Sequence, residues 1–501
     1  MPGYDVQLDW AARDGVCQPC PMCRAAGPHA IHVSVHSPAS PAPGAAFYRC
    51  RACDGLFAHP FVWPDYADDY GFPDYLRFYV EAGAGLAAMA EPLHRAWRPD
   101  MSTMIDVGSG VPFAADFARR MLGLDARSID PSRYAKAGGE WLGVPVDSAL
   151  LGGGSTADGK VFDLVYSSEV VEHVESPQAF LDTLARHLSP RGVLVVTTPN
   201  ADFVSPSRAP LENLGLVWPG IHHALYTPGG LKAAISRAGL GHVRISVERE
   251  RLVAFASHTP LSPGHGDPAS IPSWLKEGAQ TAASPALRMG YLYRLFQSEA
   301  GHGRRAHALD WLAQLRDAVR EGTGQDITDS GAIADAAAAL DARAFHEEWP
   351  YFAPLMPHLL GSVAMLETGR DLPAATTHFA HQVRICETFR GGDPLWRAEI
   401  AHLWASTLFS YGLARLMQRD HGEAVEAFER LLAGDAPAGS LSAMGRRDAG
   451  LIAQARIQLG SALIQAGRKG EARKALESAR VDADAVHHPV IDGLLARCGQ
   501  S

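Results

Sequence analysis

The chain has 501 residues, of which 47% are apolar, and a formal net charge of −10. This length predicts two to four domains, and the apolar content is enough to fill their cores. The absence of a Lys/Arg run argues against nucleic acid as a partner. The sequence shows neither a signal-peptide core at its start nor an apolar stretch of bilayer length, so we expect a cytoplasmic protein with no membrane span.

Five of the seven cysteines lie near the N-terminus, between Cys17 and Cys53. Clustered cysteines in a reducing compartment indicate metal binding before disulfides. Two Cys-x-x-Cys pairs stand out, Cys20 with Cys23 and Cys50 with Cys53. Four thiolates form a closed tetrahedral zinc site, which is structural because no position is left for water. We therefore predict a zinc ribbon over residues 1–60.

The pairing within this cluster has an alternative. Cys17 lies three residues before Cys20, so these two could form the first pair. Pro21 and the aromatic strand before Cys50 favour Cys20 with Cys23, and free thiols are the remaining alternative. The nearby histidines are expected to be bystanders, and the two distant cysteines to be small core residues. These residues are His29, His32, His36 and His59, followed by Cys386 and Cys498.

Residues 61–100 form a predicted helical connector with many aromatic side chains. Four tyrosines follow the ribbon and are candidates to cover a ligand site, to fill a core or to form an interface. They are Tyr66, Tyr70, Tyr75 and Tyr79.

From residue 101 to residue 258, apolar β-type runs alternate with helical patterns. This alternation predicts a doubly wound α/β domain, a parallel sheet with helices on both faces. The runs are Thr103–Val107, Ala126–Ile129, Phe162–Tyr166, Gly192–Thr198 and His242–Ala256. A stretch rich in Pro, Gly and Ser ends the domain, and residues 259–330 are expected to be a second helical connector.

The first strand of this domain leads into a glycine-rich turn. Asp106, Gly108, Ser109 and Gly110 belong to this turn, and a helical pattern follows it. Asp130 ends the next β-type run, about twenty residues on. Glycines let the backbone approach a ligand closely, and the second acid can accept hydrogen bonds from ribose hydroxyls. This layout predicts a nucleoside-binding βαβ unit, although a complete G-x-G-x-x-G is lacking.

Beyond residue 330 the sequence is rich in Ala and Leu and helical in period. Three segments share a Gly on one helix and small and large residues on the next, a pattern that resembles the tetratricopeptide repeat. Their marker residues are Gly361, Ala375 and Phe379; Tyr411, Gly412, Ala424, Phe428 and Leu431; and Leu459, Gly460, Leu463, Ala472, Leu476 and Ala479. The copies lie about 48 residues apart, whereas ~34 is usual. We predict tetratricopeptide-like helical repeats over residues 331–501, with an ordinary helical bundle as the alternative.

Several motifs of residues 101–258 occur in an order that resembles class I S-adenosylmethionine-dependent methyltransferases. The segment Phe162–Val174 is similar to the family's fourth strand and the loop after it, which ends in Glu-His, here Glu172 and His173. Ser189–Gly192 is similar to the family's Pro-Gly-Gly turn. The family's third glycine of the first turn is Pro112 here, and Arg191 replaces a glycine of the later turn.

The resemblance implies a cofactor site for S-adenosylmethionine (SAM). The glycine turn would wrap the methionine part of the cofactor, and Asp130 would bind its ribose. Asp147 would accept from the adenine amino group, although it could equally cap a helix. The implied cofactor-binding residues are Asp106, Gly108, Ser109, Gly110, Asp130, Asp147, Ser167 and Glu172.

Methyl transfer to a hydroxyl or carbon acceptor needs a group that removes a proton, and histidine suits this task near neutral pH. His173 is one candidate, with a structural role as its alternative. His222 and His223 are the favoured candidates, because the family often has a His before a Tyr/Phe-Thr/Ser-Pro turn, here Tyr226 to Pro228. The acceptor itself is not indicated by these motifs.

A zinc ribbon ahead of a methyltransferase domain resembles enzymes that methylate nucleotide-linked sugars or glycan precursors. We therefore expect a small-molecule or glycan acceptor. One alternative is a protein methyltransferase that recruits a protein partner through the C-terminal repeats, and another is an inactive binding scaffold, suggested by Pro112 and Arg191. An oxidoreductase is disfavoured because the first turn lacks the third glycine of the dinucleotide fingerprint.

Overall fold

The computed structural model describes residues 7–11, 15–36, 44–62, 74–208, 210–367, 369–389, 394–433 and 449–499. Within these ranges the chain divides into two compact units. One comprises residues 4–206 and 212–291, and the other comprises residues 207–211 and 292–501. In the described part of the chain, none of the helices combines the length and the apolarity that a membrane crossing requires.

The strands are concentrated in the first half of the chain and the helices in the second. The strands are β1 Gln7–Asp9, β2 Gly15–Val16, β3 His29–His36, β4 Gly44–Arg49, β5 Leu56–His59, β6 Thr103–Val107, β7 Asp125–Ile129, β8 Val146–Asp147, β9 Phe162–Ser168, β10 Leu188–Pro199, β11 Ala224–Leu225, β12 His242–Glu248 and β13 Arg251–Ser257. The helices are α1 Tyr75–Phe78, α2 Leu86–Ala96, α3 Phe113–Met121, α4 Arg133–Leu142, α5 Pro177–Arg186, α6 Pro210–Val217, α7 Pro228–Arg237, α8 Ser270–Thr281, α9 Pro285–Gly301, α10 Arg305–Thr323, α11 Ser330–Ala339, α12 Ala342–Glu348, α13 Met356–Met365, α14 Leu372–Thr388, α15 Pro394–Met417, α16 His421–Ala433, α17 Ala449–Gln465, α18 Lys469–Asp482 and α19 His488–Gly499.

Seven strands form the central sheet, in the order β12-β13-β10-β9-β6-β7-β8. Strands β10, β9, β6, β7 and β8 are parallel to their neighbours in this series. The predicted run over residues 242–256 is instead an antiparallel hairpin, because the chain turns at Arg249, which has φ 55°. The sheet is therefore mixed rather than fully parallel.

Helices cover this sheet as a doubly wound fold requires. Helix α3 contacts β6 and β7 and packs with α2 and α8, whereas α5 contacts β10 and packs with α7. The apolar runs of β6, β9 and β10 are buried throughout their centres, as expected for parallel strands covered on both faces. The Rossmann-like prediction is confirmed at this level.

A second sheet, β1-β3-β4-β5-β11, contains the predicted ribbon. Its last strand, β11, comes from residues 224–225 and pairs antiparallel with β5. Buried ribbon residues such as Met22 and Phe57 share one apolar core with Leu181 and Leu231 of α5 and α7. The ribbon and the α/β domain thus share one core and are joined by the pairing of β5 with β11. The predicted boundary at residue 60 therefore does not separate two cores.

The C-terminal unit contains three helix pairs with the same contact at their centre. A Cβ added to Gly361 of α13 would lie 2.6 Å from the ring of Phe379 on α14. A Cβ on Gly412 of α15 would likewise lie 2.7 Å from the ring of Phe428 on α16, and a Cβ on Gly460 of α17 would lie 2.5 Å from Leu476 on α18. A glycine on the first helix thus lets a large side chain of the second approach the backbone. The marker residues of the sequence pattern thus lie at these contacts, and the tetratricopeptide assignment itself stays a prediction.

We predict that Gly460→Ala destabilises the C-terminal unit. The new Cβ would lie 2.5 Å from Cγ of Leu476, and overpacking of this kind costs about 1–3 kcal/mol. Gly493→Ala is the matched control, because it lies within α19 with nothing within 4 Å of its Cβ position, and an open helical site gains about 0.5–1 kcal/mol from Ala. Urea unfolding followed by circular dichroism measures both, and equal midpoints for the two variants would contradict the packing.

Candidate functional site

The glycine-rich loop after β6 has a left-handed backbone at two positions. Gly108 and Gly110 have φ of 73° and 54°, a region that residues with a Cβ rarely adopt. A Cβ on Gly108 would also lie only 2.5 Å from Cγ2 of Val170. The loop is therefore packed closely against the segment that follows β9.

Asp130 joins this loop to the end of β7. Its Oδ2 accepts from the backbone N–H of Gly110 at 2.8 Å, and its Oδ1 accepts from the N–H and the hydroxyl of Ser132 at 2.8 and 2.6 Å. A carboxylate offers about four acceptor positions, so capacity remains for one ligand hydroxyl. The residues present fit the ribose role, which stays a prediction.

Asp106 and Ser109 shape the loop from within. The Asp106 carboxylate is buried and accepts from the N–H of Ala115, near the start of α3. Pro112, which precedes α3, has no side chain that can cap the helix, so the Asp106 carboxylate caps it instead. Burial, and then the charge of Asp130, raises the pKa of Asp106. The Ser109 hydroxyl donates to the carbonyl of Gly110 at 3.1 Å.

Aromatic rings lie beside this loop. A Cβ on Gly110 would be 3.5 Å from the ring of Tyr134 and 3.9 Å from the hydroxyl of Tyr79. The ring of Tyr75 lies 4.9 Å from that of Tyr134, edge to face. Of the four connector tyrosines, Tyr79 therefore lies beside the glycine loop and Tyr75 packs behind it on Tyr134, whereas the other two, at positions 66 and 70, lie outside the described residues.

Two predicted cofactor residues are engaged elsewhere. Asp147 binds its own loop, since its carboxylate accepts from the N–H of Ala149 and of Thr156 and from the hydroxyl of Ser155. These bonds lower the pKa of Asp147 to about 2. No described helix begins in this loop, so the carboxylate of Asp147 closes the loop rather than capping a helix, and its adenine role stays a prediction. The hydroxyl of Ser167 is buried and donates to the carbonyl of Val107 at 2.9 Å, so it ties β9 to β6.

The loop after β9 brings a carboxylate and two imidazoles together. Ligand atoms of Glu172, His173 and His222 all lie within 4.8 Å of one another. Glu172 is fully buried, and its Oε2 accepts from the hydroxyl of Thr198 at 2.9 Å, while its Oε1 lies 3.6 Å from Nε2 of His173. The rings of the two histidines are 4.9 Å apart, edge to face. We call Glu172, His173 and His222 the acid–imidazole cluster.

Hydrogen bonding assigns the tautomer of one of these rings. Nδ1 of His222 lies 2.6 Å from the carbonyl oxygen of Leu216. A carbonyl only accepts, so Nδ1 carries the proton and Nε2 keeps a lone pair when the ring is neutral. Nδ1 of His173 lies 3.1 Å from the carbonyl of Ile221, and the same ring also bonds the backbone of Glu169. A neutral ring has one proton for these two carbonyl acceptors, so His222 has the better-defined basic nitrogen.

Burial controls the charge of the cluster. It lowers the pKa of His222 to about 4, and burial followed by the nearby His222 also lowers that of His173. Burial, and then the Glu169 carboxylate, raises the pKa of Glu172. Both imidazoles are thus neutral near pH 7, as a proton acceptor must be.

The structure separates the two adjacent histidines that the sequence left equivalent. His223 is buried on the ribbon side, where its ring centroid lies 4.2 Å from that of Phe61. His222 instead faces His173 and the ring of Trp218. Of the favoured pair, only His222 joins the acid–imidazole cluster.

Sequence analysis did not single out Glu169, which lies beside this cluster. Its φ of 55° is left-handed, and its Oε1 accepts from the hydroxyl of Thr197 at 2.7 Å. Backbone strain at a non-glycine residue concentrates at functional positions. A feature of the sequence could have identified Glu169, because Glu169 and Glu172 are two acids three residues apart in the loop that also contains His173.

The four cysteine sulfurs also come together, as the preferred pairing predicts. Sγ of Cys20 and Cys53 are 3.8 Å apart, and Sγ of Cys23 and Cys50 are 3.5 Å apart. Zinc–sulfur bonds of 2.3 Å in a tetrahedron separate the sulfurs by about 3.8 Å, so the spacing fits zinc. Cys17 is exposed and outside the cluster.

The two cysteine pairs have matching backbones. Arg24 N donates to Cys20 O at 2.8 Å, and Asp54 N donates to Cys50 O at 2.9 Å. Arg24 and Asp54 both have positive φ, 61° and 58°. Each pair thus forms the same tight turn, which presents its two sulfurs to a common centre.

We predict that Gly108→Ala weakens SAM binding by about tenfold or more, because the Cβ meets Val170 at 2.5 Å and a clash of this kind costs about 1–3 kcal/mol. Gly123→Ala is the matched control, with a similar φ of 69° but nothing within 4 Å of its Cβ position. It carries the backbone strain without the clash. Calorimetric titration with SAM compares the two, and equal affinities would rule out a role for this close contact in cofactor binding.

Sequence comparison with known proteins gives matches in the region that contains the glycine loop and the acid–imidazole cluster. Residues 81–244 match the family model described as "Methyltransferase domain". A ubiquinone biosynthesis O-methyltransferase of Methylobacterium sp. (strain 4-46) is 34% identical over 148 residues, which are 28% of this chain and 59% of that protein. One of Paramagnetospirillum magneticum is 36% identical over 102 residues, 20% of this chain and 41% of that protein. The chain thus spans about half the length of these relatives.

Among solved structures, an O-methyltransferase family protein from Burkholderia thailandensis is 17% identical, with 37% of this chain and 56% of that chain covered. Its TM-score of 0.28 is too low to support a conclusion about shared fold. The family match rests on sequence, and the glycine loop and the acid after β7 lie within the matched residues. Residues 81–244 are therefore identified as a methyltransferase domain.

Proposed function

We propose that this protein is an SAM-dependent O-methyltransferase with a small-molecule acceptor. The observation that carries the proposal is the acid–imidazole cluster, where a neutral His222 with a defined basic nitrogen lies beside the buried Glu172. The names of the matched relatives, O-methyltransferases, favour oxygen as the methylated atom.

The acceptor side and the cofactor side are in direct contact. Val170, which lies between Glu169 and Glu172, packs against Gly108 of the cofactor loop. Both features occupy the carboxyl ends of β6 and β9, where ligands of open α/β sheets bind. This contact supports an arrangement in which a methyl donor on the glycine loop lies next to an acceptor hydroxyl at the cluster.

Cofactor and protein divide the chemistry. When bound, SAM supplies a methyl group already activated by its sulfonium. The chain positions the acceptor, and Nε2 of His222 takes the hydroxyl proton as the oxygen is methylated. The carbonyl of Leu216 and the edge-to-face ring of His173 hold that imidazole in its orientation.

For the acceptor we propose a nucleotide-linked sugar or a glycan precursor, on the analogy of zinc-ribbon methyltransferases. A phenolic acceptor is the second candidate, because the relatives are described as acting in ubiquinone biosynthesis. Incubation of the purified chain with SAM and each compound class, with mass detection of the methylated product, compares the two. Turnover of neither class by wild-type protein that binds SAM would contradict a small-molecule acceptor.

A protein substrate recruited by the helical repeats is a further candidate, favoured by the three similar helix pairs of the C-terminal unit. Truncation after residue 291, where the first compact unit ends, separates this candidate from the others. A protein methylase loses its substrate, whereas a small-molecule enzyme retains turnover. If the chain is instead an inactive scaffold, the wild-type protein should transfer methyl groups to none of these acceptors.

A divalent cation could occupy the same cluster, because one carboxylate and two imidazoles within 4.8 Å of one another are a suitable donor set. Such an ion would polarise the acceptor hydroxyl in place of a protein base. Chelator treatment followed by Mg²⁺, Mn²⁺ or Zn²⁺ addition separates these mechanisms. Activity that survives chelation supports the His222 base, and activity restored only by an added ion supports the cation.

We predict that His222→Asn lowers kcat by about 100-fold or more, the usual scale for a lost general base. The Asn amide can still donate to Leu216, so positioning is retained while the basic nitrogen is removed. His223→Asn is the matched control, and we expect less than about tenfold loss because its ring faces Phe61. Steady-state kinetics measures both, and a larger loss for His223→Asn would reverse the assignment.

We also predict activity at unusually low pH. A base works only when it is neutral, and burial lowers the pKa of His222 to about 4, below the ordinary value of about 6.5. Activity should therefore persist as the pH falls to about 5. A pH profile of kcat/KM, with circular dichroism to show that the fold persists, tests this. An acidic limb centred at 6.5 or above would show that this ring is not the base.

A further inference from the structure

The zinc-ribbon turns are held by the helix that follows the two adjacent histidines. Thr227, the N-cap of α7, donates through its hydroxyl to the carbonyl of Cys53 at 3.2 Å. Arg237, at the other end of α7, donates through Nη2 to the carbonyl of Met22 at 2.9 Å. One residue of each cysteine turn is therefore bonded to the same helix.

The second connection is a strand pairing. Leu56 and Phe57 of β5 pair with Leu225 and Ala224 of β11, and the N–H of Ala58 donates to the carbonyl of His223 at 2.9 Å. Strand β5 starts directly after the second cysteine turn. The residues next to His222 are thus fixed to a strand that the sulfur cluster anchors.

From this strand the connection reaches the acid–imidazole cluster. The N–H groups of His223 and Ala224 both donate to the carbonyl of Glu172, at 2.7 and 3.2 Å. The connection from the cysteines through β5 and β11 to Glu172 therefore consists of backbone hydrogen bonds. Backbone groups are less flexible than side chains, so this connection fixes the position of Glu172 closely.

The cofactor loop has different supports. Gly108 N donates to the carbonyl of Ile129 at 2.8 Å, and Gly110 N donates to Asp130. These bonds run between β6 and β7, on the far side of β9 from the ribbon contacts. The two halves of the site thereby have separate hydrogen bonds, and they meet where Val170 packs against Gly108.

We propose that zinc bound by Cys20, Cys23, Cys50 and Cys53 positions the acceptor half of the active site, through β5, β11 and α7, while the cofactor half is held by its own hydrogen bonds between the ends of β6 and β7. The ribbon residues are positioning residues, since they act through the backbone of Glu172 and His222. The kinetic part of this proposal rests on the proposed methyltransferase activity, whereas the structural part does not.

The test compares full-length Cys50→Ser with Cys17→Ser, a matched control because Cys17 is exposed and outside the sulfur cluster. Zinc content is measured by elemental analysis, and amide hydrogen exchange is followed at the N–H groups of His223 and Ala224, with Gly108 and Gly110 as internal references. We expect Cys50→Ser to lose zinc and to lose about tenfold or more of the protection at residues 223–224. In Cys50→Ser, protection at the two reference glycines and the SAM affinity measured by calorimetry should stay within about twofold of the wild-type values. In Cys17→Ser, zinc content, protection at all four N–H groups and SAM affinity should all stay within about twofold of wild type.

Arg237→Met keeps all four thiolates and provides a second variant if Cys50→Ser does not fold. It removes the bond to Met22, so zinc should remain while protection at residues 223–224 falls. Kinetically, both variants should lower kcat with little change in the KM for SAM.

Wild-type protein without zinc would overturn the proposal, as would unchanged protection at residues 223–224 in both variants. Parallel loss of SAM affinity would also overturn it, because the ribbon would then stabilise the whole domain. If the wild-type chain transfers no methyl group at all, the proposed function fails, and the zinc and exchange measurements still decide the positioning role.

Discussion

The carbonyl of Glu172 is the hydrogen-bond acceptor on which the two parts of the site depend. It accepts from the N–H groups of His223 and Ala224, so the loop after β9 and the segment before α7 are fixed to each other. The Glu172 side chain, fully buried, is at the same time fixed by Thr198 of β10. Three segments far apart in sequence therefore meet at one residue.

A buried carboxylate of this kind is costly, and its surroundings show how the cost is managed. Desolvation raises the pKa of Glu172 and lowers that of His222 to about 4, so both side chains favour their neutral forms. Buried ionisable groups with such shifts lower the stability of a fold, and they are often found at active sites. The cluster therefore agrees with the function proposed for it and is not a source of stability.

The sequence predicted those elements whose physical signal is local. Strand β6 has the predicted bounds, Thr103–Val107, because its apolar run ends at glycines that must adopt positive φ. The hairpin of β12 and β13 was read as one run, since the turn at Arg249 carries no Gly or Pro. Periodicity alone does not reveal a turn at a residue type that rarely takes a left-handed backbone.

The site was less accessible from sequence because its geometry is tertiary. Asp147 occupies the predicted strand end, but only the folded loop shows that its oxygens are already engaged. The side chains of His222 and His223 diverge because β11 pairs with β5 of the ribbon, a contact across more than 160 residues that no local motif encodes. Cysteine spacing, in contrast, predicted which four sulfurs come together, because the spacing within each Cys-x-x-Cys pair is a local feature.

The same distinction applies to the spacing of the three helix pairs in the C-terminal unit. A helix pair needs only one close contact to set its packing, and here this contact is a glycine facing Phe379, Phe428 or Leu476. The lengths around it are free to vary, and α15, with 24 residues, is long for such a unit. A pattern search that requires a constant period would miss these copies, whereas one that requires the glycine–large residue contact finds all three. The conserved quantity between the copies is therefore a packing distance rather than a number of residues, which is what ridges-into-grooves packing of helices demands.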